Sequence, residues 1–381
     1  MKKYYTLGLK IKYIKVKGSD YQLGYQQGVN LKNKINKAWN ALLDSPEFET
    51  VKPKFVPKNV IVFVGKLLSA WISKPTLSGF QFFRERVKGI SDGSGIDIGR
   101  LLFMYFVELA GSDSARALMG CSSIAVIPPK SDEPILAKNF DFINSFRPFN
   151  IMRESVPDKG FSSLEFTFAP SAGSHTGMNE KGLALTYNYG FSTIRFAKAP
   201  FISAKIQYIL QNCSSVEEAK NVLRNSKNSS SGIITIVDSD GKAVSVEVNP
   251  KESAVVTPFN GILVNANLFY AKNTRKHMVP LDAVYGEKAP ESLRGKNIQY
   301  TNIVRTRRIF YLINRYEKIN AEILKTILAD HGQENSPSGN TICRHHESFG
   351  THLSIIMLPK RRILHYLFGH PCEGKWMTTK I

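Results

Sequence analysis

The chain has 381 residues, 43% of them hydrophobic and 22% charged, with a formal net charge of +20. That balance excludes a disordered chain and leaves enough apolar material for a large core. Four cysteines, Cys121, Cys213, Cys343 and Cys372, are too few and too scattered for a disulfide framework and point to a reducing compartment.

Lysines are spread along the chain, with an early cluster at Lys2, Lys3, Lys10, Lys12, Lys15 and Lys17. No recognition-helix or RNA-binding signature accompanies them, so no specific nucleic-acid partner is expected, while the general field favours anionic substrates. The basic start is interrupted by further lysines before any signal-peptide core forms. The most apolar stretch, residues 59–73, contains Lys66 and falls short of the ~18 uncharged residues of a membrane span. A cytoplasmic protein with no membrane span is the expectation.

In chain order, residues 20–45 carry apolar residues at helical spacing, with Asp20 placed to cap the start. Residues 75–111 read as two helices broken at Asp92-Gly93-Ser94-Gly95. From Cys121 the pattern turns to strands: residues 124–129, 135–142, 164–170 and 183–188, each bounded by Pro, Gly or charged turns. Residues 203–226 predict a helix pair, with Ser215 capping the second helix and Glu218 completing a capping box. Residues 233–248 predict a hairpin in which Asp240-Gly241 supplies the positive φ angles of a tight two-residue turn. A second helix pair follows over 301–332, stopped by Gly332, and two strands joined through Pro359 close the chain. Sheets covered by helices on one face and by each other on the second give an α+β fold, a four-layer α-β-β-α sandwich.

The chemistry begins at Gly120-Cys121. Glycine leaves its carbonyl open to attack, and the Cys121 sulfur is placed to cut the Gly120-Cys121 bond through a thioester. The new chain would carry its own base, because an α-amine with a pKa of about 7.7–8.0 accepts the thiol proton in the same residue. Without cleavage, a cysteine beside an apolar run reads as a small buried hydrophobe. Downstream, Asp141 is the penultimate residue of the segment PILAKNFDF, Asn188 ends the strand after Gly-Met-Asn-Glu-Lys-Gly, and a further strand delivers Asn265 and Asn267.

Taken in order, KGSDYQLGYQQG, the Gly-Cys junction, SHTGMNEKGLALTYNYG, the Val-Asn-Ala-Asn strand and the run from LADHG through ICRHHESFGTHLSIIML resemble the acyl-coenzyme A:6-aminopenicillanic acid acyltransferase family. That family is a cysteine N-terminal nucleophile group related to choloylglycine hydrolases, penicillin V acylases and ceramidases. The resemblance implies the same sandwich, with Cys121 as nucleophile and Asp141 holding its amine. It also implies Asn265 and Asn188 as oxyanion donors. Two departures stand out. Lys138 occupies a position where cousins carry Arg, and the family's C-terminal catalytic Arg has only Arg305 and Arg344 as candidates.

A cluster-rich stretch, Cys343, His345, His346 and His352 with His331 nearby, raises zinc as a question. Neither a Cys-x-x-Cys pair nor two histidines on one helical turn is present, so no metal and no cofactor is expected. The functional expectation is a self-processed hydrolase of a linear C–N amide bond, with acyl transfer to an amine as a second outcome. Its substrate would be a small-molecule amide or acyl thioester. Residues 1–120 would form the α chain and 121–381 the β chain, staying associated as one globular domain. An acyl-coenzyme A-dependent N-acyltransferase and a non-enzymatic basic protein binding nucleic acid or anionic membrane are the alternatives.

Overall fold

The computed structural model describes residues 12–45, 48–49, 55–109, 119–194, 196–287 and 289–381. Lys2, Lys3 and Lys10 of the basic cluster, and the segment that leads into Met119, lie outside the described residues.

Fourteen strands are described. They are β1 (Lys12–Gly18), β2 (Gly120–Val126), β3 (Ile135–Ile143), β4 (Asn150–Pro157), β5 (Ser163–Phe168), β6 (Thr176–Asn179), β7 (Ala184–Tyr189), β8 (Gly232–Val237), β9 (Ala243–Val248), β10 (Ser253–Val256), β11 (Ile262–Asn265), β12 (Phe349–Leu358), β13 (Ile363–Phe368) and β14 (Met377–Lys380). The helices are α1 (Asp20–Leu43), α2 (Lys58–Gly79), α3 (Gln81–Ser94), α4 (Ile98–Leu109), α5 (Ile202–Asn212), α6 (Val216–Arg224), the single turn α7 (Lys272–Arg275), α8 (Tyr300–Asn314) and α9 (Ala321–Leu328).

The strands form two sheets, an eight-stranded one in the order β1-β4-β5-β6-β7-β8-β9-β10 and a six-stranded one in the order β11-β2-β3-β12-β13-β14. Alternation along the strands sorts the side chains into layers. Ala125, Leu136 and Ile355 of the smaller sheet meet Met152, Leu164 and Met178 of the larger one between the sheets. The opposite face of the smaller sheet, with Ile124, Val126 and Ile356, packs on Ile309 and Ile313 of α8 and Leu324 and Ile327 of α9. The outer face of the larger sheet is covered by α5 and α6 through Ile206, Ile209 and Leu223. Beside them lie α1, α3 and α4. The four layers α-β-β-α are therefore present, as the patterning predicts.

The N-terminal segment is built into this sandwich. β1 adds to the edge of the larger sheet in parallel with β4. Helices α1 and α3 approach closely because Gly24 and Gly28 face Gly89 and Gly93, and a Cβ at any of the four would strike the other helix's backbone. A buried network fixes the contact: Arg153 on β4 binds Glu165 on β5 and donates to Gln27 Oε1 of α1 at 2.7 Å.

Several local expectations are revised. The N-cap of α1 is Ser19, not Asp20: its hydroxyl accepts from Gln22 N while Gln22 Oε1 accepts from Ser19 N at 2.8 Å, and Asp20 sits in the first turn. Ser215 caps α6, but the Glu218 carboxylate reaches Ser214 N, one residue further back. The β8–β9 connection is a longer loop in which Gly241 alone takes positive φ, and Asp238 Oδ1 holds the amides of Asp240 and Lys242. α9 ends at Leu328, short of Gly332. β4, β6 and β14 are short or polar strands without a clear alternating signal, and β1 carries its alternation on only two apolar residues, Ile14 and Val16. Helix α2 is longer than residues 59–73, and by length and composition it is the one helix among the described residues able to cross a membrane. It exposes Phe63, Val64, Leu67 and Trp71 along one side.

Candidate active site

β2 lies inside the smaller sheet, between β11 and β3, with Gly120 opposite Asp141, Cys121 opposite Phe140 and Ser123 opposite Lys138. This register sends the Cys121 thiol and Lys138 toward the larger sheet, and Asp141 toward α8. Cys121 is buried, and its Sγ lies 3.9 Å from the Tyr187 carbonyl oxygen, to which Lys138 also donates.

Burial pushes the Cys121 thiol up, against the pull of the neighbouring Lys138 ammonium. Burial likewise pulls Lys138 down, opposed by Cys121 and Asp141. Burial thus disfavours the thiolate of Cys121 and the ammonium of Lys138 alike.

The backbone of Cys121 is held from the helix side. Its N–H donates to Asn267 Oδ1 at 3.0 Å, and its carbonyl accepts from Arg305 Nη1 at 2.7 Å. Arg305, on α8, also donates to Ser122 Oγ at 2.8 Å, to Asn302 Oδ1 at 2.9 Å and to Asn267 Oδ1 at 3.2 Å. Asn267 reaches Cys121 because it follows β11 with φ 69°, turning out of the strand's alternation, and its Nδ2 is fixed on Tyr189 O.

Asp141 is fully buried. Its Oδ1 accepts from Thr351 Oγ1 at 2.8 Å, and its Oδ2 has no hydrogen-bond partner. Arg305 Nη1 and Arg344 Nη1 flank that oxygen at 3.7 and 3.8 Å. Arg344 itself is anchored by Nε to Gly339 O at 2.7 Å, by its N–H to Thr351 Oγ1, and by stacking over Phe349. Burial and the neighbouring Arg344 pull the Arg305 guanidinium down to about 10, which leaves it charged at neutral pH. Gly120 leaves room for the Arg344 guanidinium, whose Nη1 would have to shift if a Cβ stood there.

The two asparagines expected at the oxyanion sit deeper between the sheets. Asn188 accepts from Ser123 Oγ at 2.7 Å and gives one N–H to Asn265 O at 2.9 Å. Asn265 directs its Nδ2 to Thr235 Oγ1 and Ser245 Oγ, and no hydrogen bond joins it to Cys121. Sequence reasoning named Cys121, Asp141, Lys138, Arg305 and Arg344, which the fold brings together. It did not assign a role to Asn267 or Thr351, which complete the cage.

A cavity of about 540 Å³ opens on the Arg344 side, lined by Tyr285, Lys296, Tyr300, Thr301, His346 and Phe349 among others. Arg344 forms its inner wall, so the cavity ends one side chain short of Gly120 and Asp141.

The pattern of the acyl-coenzyme A:6-aminopenicillanic acid acyl-transferase family matches residues 128–373. The chain belongs to this family. Membership in the acyl-transferase family places it among the amidohydrolase and acyltransferase enzymes. The matched region begins seven residues after Cys121 and includes Asp141, Asn188, Asn265, Asn267, Arg305 and Arg344. Among solved structures, a Caenorhabditis elegans N-acylethanolamine-hydrolyzing acid amidase ortholog aligns at 16% identity, covering 63% of this chain and 93% of its own, with a TM-score of 0.44. A mutant of the Clostridium perfringens conjugated bile acid hydrolase aligns at 17% identity over 68% of this chain and 97% of its own, TM-score 0.42. Penicillin V acylase from Agrobacterium tumefaciens aligns at 12% identity over 68% and 86%, TM-score 0.41. No curated protein sequence matches the chain.

Proposed function

We propose that this family member is a self-processed cysteine N-terminal hydrolase that cleaves a linear amide bond through a Cys121 thioester. The observation that carries the reading is the cage around the backbone of one residue, Cys121. The N–H and C=O of Cys121 are each held by a buried polar side chain, and Asp141 sits opposite Gly120 with one carboxylate oxygen unengaged.

In processing, Cys121 Sγ attacks the Gly120 carbonyl carbon and the Cys121 nitrogen leaves as an amine, giving a thioester. Water then cleaves the thioester, releasing the Gly120 carboxylate and the free thiol. No α-amine exists before this step, so a different base must take the thiol proton. Lys138 is the group beside the thiol, and burial keeps its amine form accessible.

In turnover, the new α-amine takes over as base. Two buried guanidiniums close to it, only partly offset by Asp141, disfavour its protonation and keep it able to accept a proton near neutrality. Asp141 orients the amine. Of the asparagines, Asn188 retains a free N–H for the oxyanion, while Asn265 supports it from behind through its carbonyl. The acyl group leaves to water, or to an amine that reaches the thioester.

Residues 1–120 and 121–381 would remain associated after the cut. β1 is hydrogen-bonded along β4, Gln27 donates to Ala169 O and Ser171 O, and Tyr105 donates to Pro170 O, so the two fragments share one core.

The test is partitioning on the purified protein. A chromogenic acyl amide is supplied with increasing amine, and free acid is measured against new amide. Free acid should dominate at low amine concentration. Faster use of an acyl-coenzyme A than of any amide would overturn the hydrolase reading in favour of the acyltransferase.

A further inference from the structure

We propose that His331, Cys343, His345 and Cys372 bind a structural zinc ion that braces the Arg344 side of the active site. One ligand atom from each of the four lies within 4.8 Å of all the others. Cys343 Sγ is 3.6 Å from Cys372 Sγ and 3.3 Å from His345 Nε2, and Cys372 Sγ is 3.4 Å from the same nitrogen. A tetrahedral zinc with Zn–S near 2.3 Å and Zn–N near 2.0 Å requires ligand-to-ligand edges of about 3.3–3.8 Å. The three measured edges fall in that range.

A second observation comes from His331. Its Nε2 is buried and has no hydrogen-bond partner, which is costly for a polar atom unless something outside the protein satisfies it. Two thiolates and two imidazoles form a closed donor set that selects zinc and leaves no position for substrate, so the ion is structural rather than catalytic. Around it, His370 stacks on His345 with ring centroids 3.8 Å apart, and Cys343 N–H donates to Asp330 O at 3.1 Å, which draws the His331 segment in.

No metal is expected from spacing because the run 343–352 holds only two of the ligands. His346 stacks on Phe349 and His352 bonds Asn150, so neither joins the cluster. Cys372 arrives from beyond β13, and His331 from beyond the end of α9. Arg344 lies between two ligands, and its guanidinium flanks Asp141 at 3.8 Å. Zinc would therefore lock the segment that presents Arg344.

Elemental analysis of the full chain, expressed without a histidine tag and purified without chelator, should find about one zinc per chain. Exchange to cobalt(II) should give thiolate charge-transfer absorption and the visible bands of a tetrahedral site. Cys372→Ser, at an exposed position, and His331→Ala should both lose metal and the charge-transfer intensity. Circular dichroism confirms that each variant is folded. Cys121→Ala should bind zinc like the wild type, so the result stands whether or not the chain is a self-processing hydrolase. Wild-type protein without zinc and without a cobalt–thiolate band, metal content unchanged in both ligand variants, or a Cys343–Cys372 disulfide under non-reducing mass analysis would each overturn the proposal.

Discussion

Asn267 Oδ1 accepts a hydrogen bond from Arg305 Nη2 at 3.2 Å while also receiving the Cys121 amide at 3.0 Å, so a loop carboxamide and a helix guanidinium together fix the proposed nucleophile's backbone. Arg305 spans five acceptors with its planar fork, which a lysine cannot do. Arg305→Lys should lower turnover by about 10²-fold through misplacement of Cys121. Steady-state kinetics on the folded variant decides, and a wild-type rate would show that the contacts are structural only.

Cys121→Ala should leave a single uncut chain with no turnover, seen as one species by intact mass. Two fragments in that variant would remove self-cleavage by Cys121. Cys121→Ser should cut slowly, because the higher pKa of an alcohol weakens the nucleophile without changing the site's shape.

Asp141→Asn removes the negative charge between Arg305 and Arg344. Turnover should fall by about 10²-fold. The limb of the pH–rate profile that reports amine deprotonation should move to lower pH, since a lost anion makes the ammonium less favourable. A lower melting temperature is expected as well, because two buried guanidiniums lose their counter-charge. An unchanged profile would reduce Asp141 to a strand residue bonded to Thr351.

The rate of self-cleavage should rise with pH across about 6 to 9, because burial raises the Cys121 thiol and holds back its thiolate. Lys138→Met should slow cleavage at neutral pH by about 10²–10⁴-fold, and Lys138→Arg should not rescue it, since Arg stays protonated. Pulse-chase gel analysis of freshly made precursor measures both. Equal rates in wild type and Lys138→Met would exclude the lysine as the processing base.

Glu165→Gln should destabilise the fold by about 3–5 kcal/mol, because Arg153 stays buried without its partner. Burial pushes the Glu165 carboxyl up, but Arg153 and Arg86 overcome this and hold it below its ordinary value. A depressed carboxyl contributes stability above its unfolded pKa of about 4.3 and loses that contribution as pH falls through the lower folded value. Denaturant titrations of wild type and variant at neutral and acid pH should therefore converge on acidification. A constant gap would place the loss elsewhere.

The long periodic elements were legible in the sequence. Helix α1, the strands that follow Cys121 and the helix pairs carry enough apolar alternation to identify themselves. β1 and β14 are not legible, because both are edge strands with polar or lysine-rich faces whose pairing comes only from the finished sheet. At the site, Cys121 and Asp141 could be read from the chain, and the register Gly120 opposite Asp141 brings them together. Asn267 could not be singled out over Asn265. Its reach to Cys121 depends on a positive φ just beyond β11, and nothing in Val-Asn-Ala-Asn announces which residue leaves the strand. Arg305 could be named only as one of two candidates, because its partners lie 38 residues away at Asn267 and 184 residues away at Cys121.

The parallel pairing of β1 with β4 gives the proposed cut a kinetic meaning. In the precursor, β1 and β4 are tethered, and the chain reaches its sandwich by unimolecular folding. After cleavage at Gly120 the same strands belong to separate molecules, and recovery from unfolding would require them to meet again at a rate set by concentration. Maturation would thus make recovery from unfolding depend on protein concentration, which recovery of the uncut chain does not.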